Sequence, residues 1–323
     1  MKVGFIGCGE IAYSHADVLS HLDHNIVSVT YRQNTDRAKR FAEAYGVRSL
    51  FPDSDWKGMI SEASPDVLWV VPSWDQIDQM FQEIVNTGVP AFFEKPLALD
   101  TSKINNLIAS HTVGELSKYM VGYNRRFYSN VDILNRYLVE EEIISVYANI
   151  PEPVDRTQEH RLRHAVIENS SHVLDLVSFV LGSYTYDNLS IRPVPRSLPG
   201  RDYIASYELN NIPVVVKSIW NSPENFEVTI YTESDRAYKL SPIEKLIVID
   251  GLEIEEPTEG TPIRSYNPRV VDTHYVSTQR FKPGFKAQAA SYLSRIENGE
   301  LISPDYFKEI RNLTHLCRKL SRL

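Results

Sequence analysis

Apolar runs and helical stripes alternate along the first part of the chain. Lys2 to Ile6 has the unbroken apolar character of a buried strand, and Ile11 to Leu22 has the spacing of a helix. Unbroken apolar strands between helices are typical of a parallel sheet that is covered on both faces. We therefore predict a doubly wound α/β domain. The same pattern predicts strands at Ile26–Tyr31, Val67–Val71, Ala91–Phe93 and Tyr119–Val121, and helices at Asp36–Tyr45, Gln76–Thr87 and Ser102–His111.

The rhythm changes after about residue 140, where short strand patterns follow one another. They predict an antiparallel or mixed sheet, and we divide the chain into domains 1–120 and 121–323. Residues 251–283 are rich in turn formers, so we expect a surface excursion there. The predicted strands are Ile143–Ile150, Leu189–Val194, Ile204–Leu209, Val214–Ile219, Phe226–Thr232, Ala237–Leu240 and Leu246–Ile249, and the predicted helices are Glu168–Leu181, Phe285–Asn298 and Pro304–Leu320.

Composition and charge exclude several classes of function. The 323 residues carry a net charge of −8 and no long basic run, which argues against a nucleic-acid partner. The apolar runs are too short to span a membrane, and the beginning of the chain lacks the pattern of a signal peptide. Two cysteines form no disulfide framework, and the histidines lack metal-ligand spacing. We therefore expect a cytoplasmic protein without a metal centre.

The first loop carries the pattern of a dinucleotide site. Gly7-Cys8-Gly9-Glu10-Ile11-Ala12 fits G-x-G-x-x-G/A between a predicted strand and a predicted helix. Gly7 permits the tight turn, Gly9 lets a pyrophosphate approach the backbone, and Ala12 lets the helix pack closely. The N–H groups of the first helical turn, at Glu10 and Ile11, then face the phosphates.

The end of the second strand bears on the choice between NAD and NADP. An enzyme specific for NAD usually has a carboxylate there, against the ribose 2′-hydroxyl. This chain has Arg32, while Asp36 is better placed to begin the next helix. An arginine pairs well with a 2′-phosphate, and Thr30 or Asn34 could assist. We predict NADP or NAD as the cofactor and favour NADP.

A second motif lies at the end of a later strand of the same sheet. In Glu94-Lys95-Pro96, the Lys95 ammonium could polarise a carbonyl or a developing alkoxide. With the first loop, this motif resembles the glucose-fructose oxidoreductase/inositol dehydrogenase/MocA (Gfo/Idh/MocA) family of NAD(P)-dependent oxidoreductases. The resemblance runs along nearly the whole chain and includes the stretches Val121–Phe127, the helix with His172, and Phe281–Phe285.

The resemblance implies a Rossmann N-terminal domain and a C-terminal α/β domain with a large, mostly antiparallel sheet. Such sheets often join subunits in this family, so we expect a homodimer or a homotetramer. The family mostly oxidises or reduces sugars, cyclitols and nucleotide sugars, which implies a small sugar-like substrate.

The resemblance also implies a site on a later helix. The family pattern D-x-G-x-H-x-x-D aligns with Glu168-Asn169-Ser170-Ser171-His172-Val173-Leu174-Asp175, so His172 matches the catalytic histidine. In a regular helix, Glu168, His172 and Asp175 would share one face. Glu168 replaces the family's Asp and Ser170 its Gly. A displacement of about 1 Å in a catalytic group can cost about 10²-fold in rate, so these departures imply a shifted substrate, or a weak or specialised enzyme.

The predicted roles follow from the chemistry of a secondary alcohol. His172 would take up or return the hydroxyl proton, Lys95 would polarise the oxygen, and Glu168 would orient His172 or hold a substrate hydroxyl. We predict substrate contacts from Lys95, Arg126, His172 and Asp175. We predict cofactor contacts from Gly7, Gly9, Glu10, Ile11, Ala12, Arg32, Pro72, Glu94 and Lys95.

Several alternatives stay open at this stage. Arg125 could take the substrate role in place of Arg126, and Trp74 could cover the nicotinamide or simply pack. A local basic segment (Arg156, His160, Arg161, Arg163, His164) could meet an anionic substrate or face water. The chain could also be an imine or unsaturated-bond reductase on the same scaffold, or a non-catalytic regulatory protein that binds a dinucleotide.

Overall fold

The computed structural model describes residues 1–154, 164–195, 202–276 and 280–321. They form two compact units, which differ from the predicted domains 1–120 and 121–323. One unit combines Met1–Phe127 with Thr278–His315, and the other combines Tyr128–Ser277 with the last residues of the chain.

The N-terminal unit contains a six-stranded parallel sheet in the order β3-β2-β1-β4-β5-β6. Its strands are β1 (Lys2–Ile6), β2 (Asn25–Thr30), β3 (Ser49–Phe51), β4 (Val67–Val70), β5 (Ala91–Phe93) and β6 (Tyr119–Val121). Its helices before residue 128 are α1 (Glu10–His21), α2 (Thr35–Tyr45), α3 (Trp56–Ala63), α4 (Trp74–Asn86), α5 (Thr101–Ser110) and α6 (Val113–Leu116), followed by a 3₁₀ turn (Asn124–Phe127). The doubly wound prediction is confirmed.

The order of the strands places the carboxyl ends of β1, β4 and β5 side by side. After β1 the chain builds outward to β2 and β3, then returns to place β4 on the other side of β1. Ligands of open α/β sheets bind where the strand order reverses in this way. The motif that follows β1 and the motif that follows β5 therefore lie at one edge of the sheet.

A late segment of the chain completes this unit. Helix α9 (Phe285–Asn298) contributes Phe285, Ala289 and Tyr292 to the apolar core that contains Phe5 and Trp69. In the following helix α10 (Tyr306–Ser321), the Tyr306 hydroxyl accepts a hydrogen bond from the backbone N–H of Val121 at 2.8 Å. This packing explains why the segment groups with the N-terminal sheet.

The C-terminal unit contains an eight-stranded sheet in the order β14-β13-β12-β11-β7-β10-β9-β8. Neighbouring strands are antiparallel except for β7 and β10, which are parallel. The strands are β7 (Ile143–Ile150), β8 (Tyr186–Pro193), β9 (Tyr203–Leu209), β10 (Ile212–Ser218), β11 (Glu227–Thr232), β12 (Arg236–Leu240), β13 (Lys245–Glu255) and β14 (Ser265–Tyr275). Among its described residues, Ser129–Leu138 form α7 and Ser171–Val180 form α8. A large, mostly antiparallel second sheet is confirmed.

The described residues of 251–283 are largely exposed, as expected, but 251–255 and 265–275 form strands where turns were expected. Strands β13 and β14 form a long hairpin, with bulges beside Ile249. Beyond the bulges, Leu252 pairs with Pro268 and Ile254 pairs with Tyr266. The strand signal was weak because the hairpin buries little of either face, and Leu252 is 60% exposed and Tyr266 55% exposed. In the part of the chain described, no helix has the length and apolar character needed to cross a membrane.

Candidate active site

Gly7 forms a turn that other residues would strain. Its φ is +97°, and its backbone N–H donates to the Thr30 carbonyl at 3.2 Å. A Cβ at this position would lie 3.0 Å from the backbone nitrogen of Pro72. Glycine is therefore required both for the backbone angle and for the close approach of two strand ends.

The space beside Gly9 is open, whereas the space beside Gly7 is filled by neighbouring backbone. A Cβ built on Gly9 would meet nothing within 4 Å, so the missing side chain leaves free space beside the first turn of α1. Gly9 is also the N-cap of α1 and offers no side chain to the N–H groups of that turn. Ala12 is fully buried against the sheet. Backbone donors beside an open cradle fit the pyrophosphate of a dinucleotide.

The end of β2 carries the residues expected near a ribose. Thr30 is buried, whereas Arg32 is exposed. The Asn34 side chain accepts a hydrogen bond from the Arg37 backbone N–H at 2.9 Å, so it caps α2. Asp36 lies in the first turn of that helix, as expected. Arg32 is thus an exposed cation one strand away from the Gly7 loop.

Glu94 and Lys95 follow β5 directly. The Glu94 backbone N–H donates to the Val70 carbonyl at 2.9 Å, which continues the sheet by one residue. Its Oε2 atom accepts the backbone N–H of Lys95 at 3.1 Å, and the Lys95–Pro96 peptide bond is cis. Glu94 thus holds the backbone from which the half-buried Lys95 side chain extends.

Sequence reasoning missed His15, which approaches this motif from helix α1. The ring is 1% exposed, and its Nε2 atom lies 2.8 Å from Glu94 Oε1. Burial alone would raise the pKa of Glu94, but the hydrogen bond and charge of His15, together with Lys95, hold that pKa below its usual range. The available signal was a lone histidine on the buried face of α1, beside Ala12 and Ala16.

Two further predicted positions, Arg126 and Trp74, also lie in this unit. Arg126, in the 3₁₀ turn, lies 4.0 Å from the Glu309 carboxylate and over the rings of Tyr123 and Tyr306. Trp74 is the first residue of α4 rather than a strand end. The predicted substrate contact of Arg126 stays a prediction.

In the C-terminal unit, Glu168 and His172 do not share one regular helix. Val166–Ser170 form a π-helical turn, and α8 begins only at Ser171. A regular helix over Glu168–Leu181 is therefore wrong for its first turn, because Glu168 lies in the π-helical turn and α8 begins three residues later. Such turns occur frequently at functional sites.

Asp175 is the most enclosed of the predicted site residues in this unit. It is fully buried, and its carboxylate accepts the Tyr184 hydroxyl at 3.0 Å. Glu168 and His172 are partly exposed. Of the basic segment, Arg156, His160, Arg161 and Arg163 lie outside the described residues. His172 and Glu168 are therefore the predicted site residues of this segment that keep exposed surface.

Comparison with known proteins agrees with this geometry. Residues 1–123 match the model of an oxidoreductase family with an NAD-binding Rossmann fold, GFO_IDH_MocA. Over these residues the chain is similar to the Gfo/Idh/MocA family. The Rossmann assignment of the N-terminal unit is confirmed, and an NAD-type dinucleotide is the family's cofactor.

Two curated relatives are dehydrogenases. The chain is 22% identical over 187 residues to myo-inositol 2-dehydrogenase of Thermotoga maritima, which is 56% of this chain and 55% of that protein. It is 27% identical over 143 residues to glucose-6-phosphate 3-dehydrogenase of Bacillus subtilis, which is 44% of this chain and 39% of that protein. The matched part thus spans about half or less of each relative.

Solved structures of dehydrogenases have a similar fold. UDP-N-acetylglucosamine 3-dehydrogenase GnnA from Acidithiobacillus ferrooxidans superimposes with a TM-score of 0.75 at 17% identity, over 100% of this chain and 97% of that one. An apo scyllo-inositol dehydrogenase from Lactobacillus casei has a TM-score of 0.73 at 17% identity, over 100% and 95%. At these identities the likeness shows the shared fold.

Proposed function

We propose that this protein is an NAD(P)-dependent oxidoreductase that acts on a hydroxyl or ketone of a sugar, cyclitol or nucleotide sugar. The observation that carries the proposal is the shared edge of β1, β4 and β5. The open cradle at Gly9 follows β1, and Lys95 follows β5, at the edge where this type of sheet binds ligands. The names of the related dehydrogenases support the substrate class.

Each polar group has a part in this reaction. The bound nicotinamide supplies the hydride chemistry. Lys95 polarises the substrate oxygen, and His172 takes the hydroxyl proton during oxidation and returns it during reduction. Glu168 orients His172 or holds a neighbouring hydroxyl. Asp175, which accepts the Tyr184 hydroxyl in this structure, contacts the substrate from the same helix.

We further propose a preference for NADP. The support is the exposed Arg32 at the end of β2, where a 2′-phosphate would lie, while the Asn34 side-chain oxygen caps α2. Binding of NADPH and NADH to the wild type and to Arg32→Ala tests this. We expect the variant to lose about 10-fold or more in NADPH affinity, from one or two charge-assisted hydrogen bonds, and to keep its NADH affinity. A wild type that prefers NADH would refute the preference.

The reaction itself is tested with purified full-length protein. The panel is myo-inositol, scyllo-inositol, glucose 6-phosphate and UDP-N-acetylglucosamine with each oxidised cofactor, and the readout is formation of reduced nicotinamide. We expect His172→Ala and Lys95→Met to lower turnover by about 10²–10⁴-fold. Lys57→Met is the matched control, since the Lys57 side chain is 68% exposed.

Two outcomes would replace the proposal. Turnover that survives His172→Ala would favour reduction of an imine or an unsaturated bond, which needs no group to deprotonate an alcohol. Cofactor binding without turnover of any polyol would favour a regulatory dinucleotide-binding protein.

We also propose a homodimer or homotetramer in the cytoplasm. The support for assembly is the hairpin β13–β14, which exposes Leu252, Ile254, Tyr266 and Pro268 on one face beyond the body of the sheet. Exposed apolar surface on such an extension is typical of subunit contacts. The support for location is that Cys8 and Cys317 are both buried free thiols, as in proteins of reducing compartments.

A further inference from the structure

A fully buried carboxylate lies in the C-terminal unit outside the predicted site. Glu152 is 0% exposed and follows the end of β7. Because β7 and β10 are parallel, the segments that follow their carboxyl ends are neighbours. Asn221, beyond β10, uses this proximity. Its backbone N–H donates to the Glu152 carbonyl at 3.0 Å, and its side chain exchanges two hydrogen bonds with the backbone of Val154, at 3.0 and 3.2 Å. Asn221 thus holds the backbone from Glu152 to Val154 in place.

Ser170 connects this carboxylate to the start of helix α8. Its hydroxyl donates to Glu152 Oε2 at 2.7 Å, and both residues are fully buried. Ser170 is the last residue of the π-helical turn and the N-cap of α8. An N-cap serine normally accepts a hydrogen bond from the helix, but Ser170 makes no such capping bond, and its hydroxyl points to Glu152 instead.

The consequence concerns His172, the second residue of α8. The Ser170–Glu152 bond fixes the junction at which the wide turn becomes a regular helix, and the direction of that first turn sets where the His172 ring lies. A glycine at position 170, which the family pattern has, could not make this bond. The replacement of glycine by serine is therefore matched by a buried acceptor elsewhere in the same unit.

We propose that Glu152, acting through Ser170, is a positioning residue for His172. This inference rests on the proposed role of His172 in proton transfer. The carboxylate touches neither substrate nor cofactor. It holds the helix start so that the imidazole keeps its position and hydrogen bonds during turnover. On this account, the serine at position 170 adjusts how the site holds His172. The departure from the family's glycine then does not indicate a lost active site.

The test compares Ser170→Ala and Glu152→Leu with the double variant. Ser178→Ala is the matched control, because Ser178 is a buried serine of the same helix, far from the junction. We expect each single variant to lower kcat by about 10-fold or more, since small misplacements of a catalytic group are costly. The KM for the dinucleotide should stay within about twofold, because the cofactor loop is untouched. The double variant should lose no more than the worse single variant, because both changes remove one interaction.

A second readout does not depend on turnover. The ¹⁵N shifts of the His172 ring report its tautomer and hydrogen bonds, and the signals are assigned by their absence in His172→Gln. We expect Ser170→Ala to move them and Ser178→Ala to leave them in place. If wild-type protein turns over no polyol, moved His172 signals still support the positioning link while the proposed reaction fails.

The proposal is overturned by either of two results. One is a Ser170→Ala protein whose kcat and His172 signals match those of Ser178→Ala. The other is a double variant whose loss is the product of the two single losses, since that would make the residues independent. If Glu152→Leu does not fold, the comparison of the two serine variants decides alone.

Discussion

The Nε2 atom of His15 lies 2.8 Å from Oε1 of Glu94, so helix α1 and the end of β5 are joined through a buried polar pair. The His15 ring stacks on Phe285 at 4.6 Å and meets the edge of Phe92 at 5.3 Å. The other oxygen of Glu94 accepts the Lys95 backbone N–H. The helix that begins at the cofactor loop therefore also steadies the backbone of the proposed oxygen-polarising lysine.

His15→Leu is expected to destabilise the protein by about 1–3 kcal/mol, because it leaves a buried carboxylate short of a partner. The pKa of Glu94 is lowered in the folded state, so its contribution to stability is present above its usual pKa and is lost as the pH falls through the folded value. The difference between variant and wild type should thus be largest near neutral pH and shrink below about pH 4. Denaturant unfolding across this range measures it. His21→Leu, on the exposed side of α1, is the control, and an equal effect at every pH would contradict the account.

Gly7→Ala and Gly9→Ala should separate folding from cofactor binding. At Gly7 the left-handed backbone and the nearby Pro72 nitrogen predict a loss of about 1–3 kcal/mol in stability. At Gly9 the added methyl enters open space, so stability should change by less than about 0.5 kcal/mol. The same methyl would occupy the proposed pyrophosphate cradle and weaken dinucleotide binding by about 10-fold or more. Thermal unfolding and nucleotide titration test the pair, and unchanged binding by Gly9→Ala would argue against this cradle.

Glu141 is expected to make the stability of the folded protein sensitive to acid. Burial alone would raise its pKa, but hydrogen bonds from Ser234, Tyr238 and Arg236 lower the pKa to about 2. Its stabilising effect is therefore complete above about pH 4.5 and disappears as the pH falls toward about 2. Glu141→Gln should cost about 1–3 kcal/mol at neutral pH and flatten the stability profile over that range. The exposed neighbour Glu140→Gln should do neither. Unfolding curves from acid to neutral pH measure both variants.

The hairpin β13–β14 offers a test of assembly. We expect Leu252→Glu combined with Ile254→Lys to shift the protein toward monomers, because charge on the apolar face opposes burial against another copy. Glu253→Ala, on the opposite face of the same strand, is the control. Light scattering with size-exclusion chromatography gives the mass of each. A wild type that is monomeric at high concentration rules out the proposed assembly.

The N-terminal sheet could be predicted from the sequence because each strand is a short apolar run between polar turns. The predicted bounds of β1, β5 and β6 agree with the structure, and so do those of β7 in the second sheet. Strand β3 and helix α3 were missed. Leu50 of β3 is 37% exposed, which weakens the apolar signal of that strand, whereas α3 was missed although it buries Trp56 and Met59.

The relations that shape the candidate site are long-range and have no local signature. His15 and Glu94 are 79 residues apart, and only the order of strands brings their elements together. The departure at Ser170 was visible in the sequence, but its buried acceptor Glu152 was not. The π-helical turn before α8 could not be predicted from the sequence, because its residues could equally begin an ordinary helix.

The parallel pairing of β7 with β10 has a consequence for how the protein folds. The chain between these strands contains helix α8 with His172 and the hairpin of β8 and β9. Parallel strands need long connections, and pairings distant in sequence form slowly. During refolding we therefore expect catalytic turnover to return only after β7 has closed onto β10, since His172 lies in the chain between them.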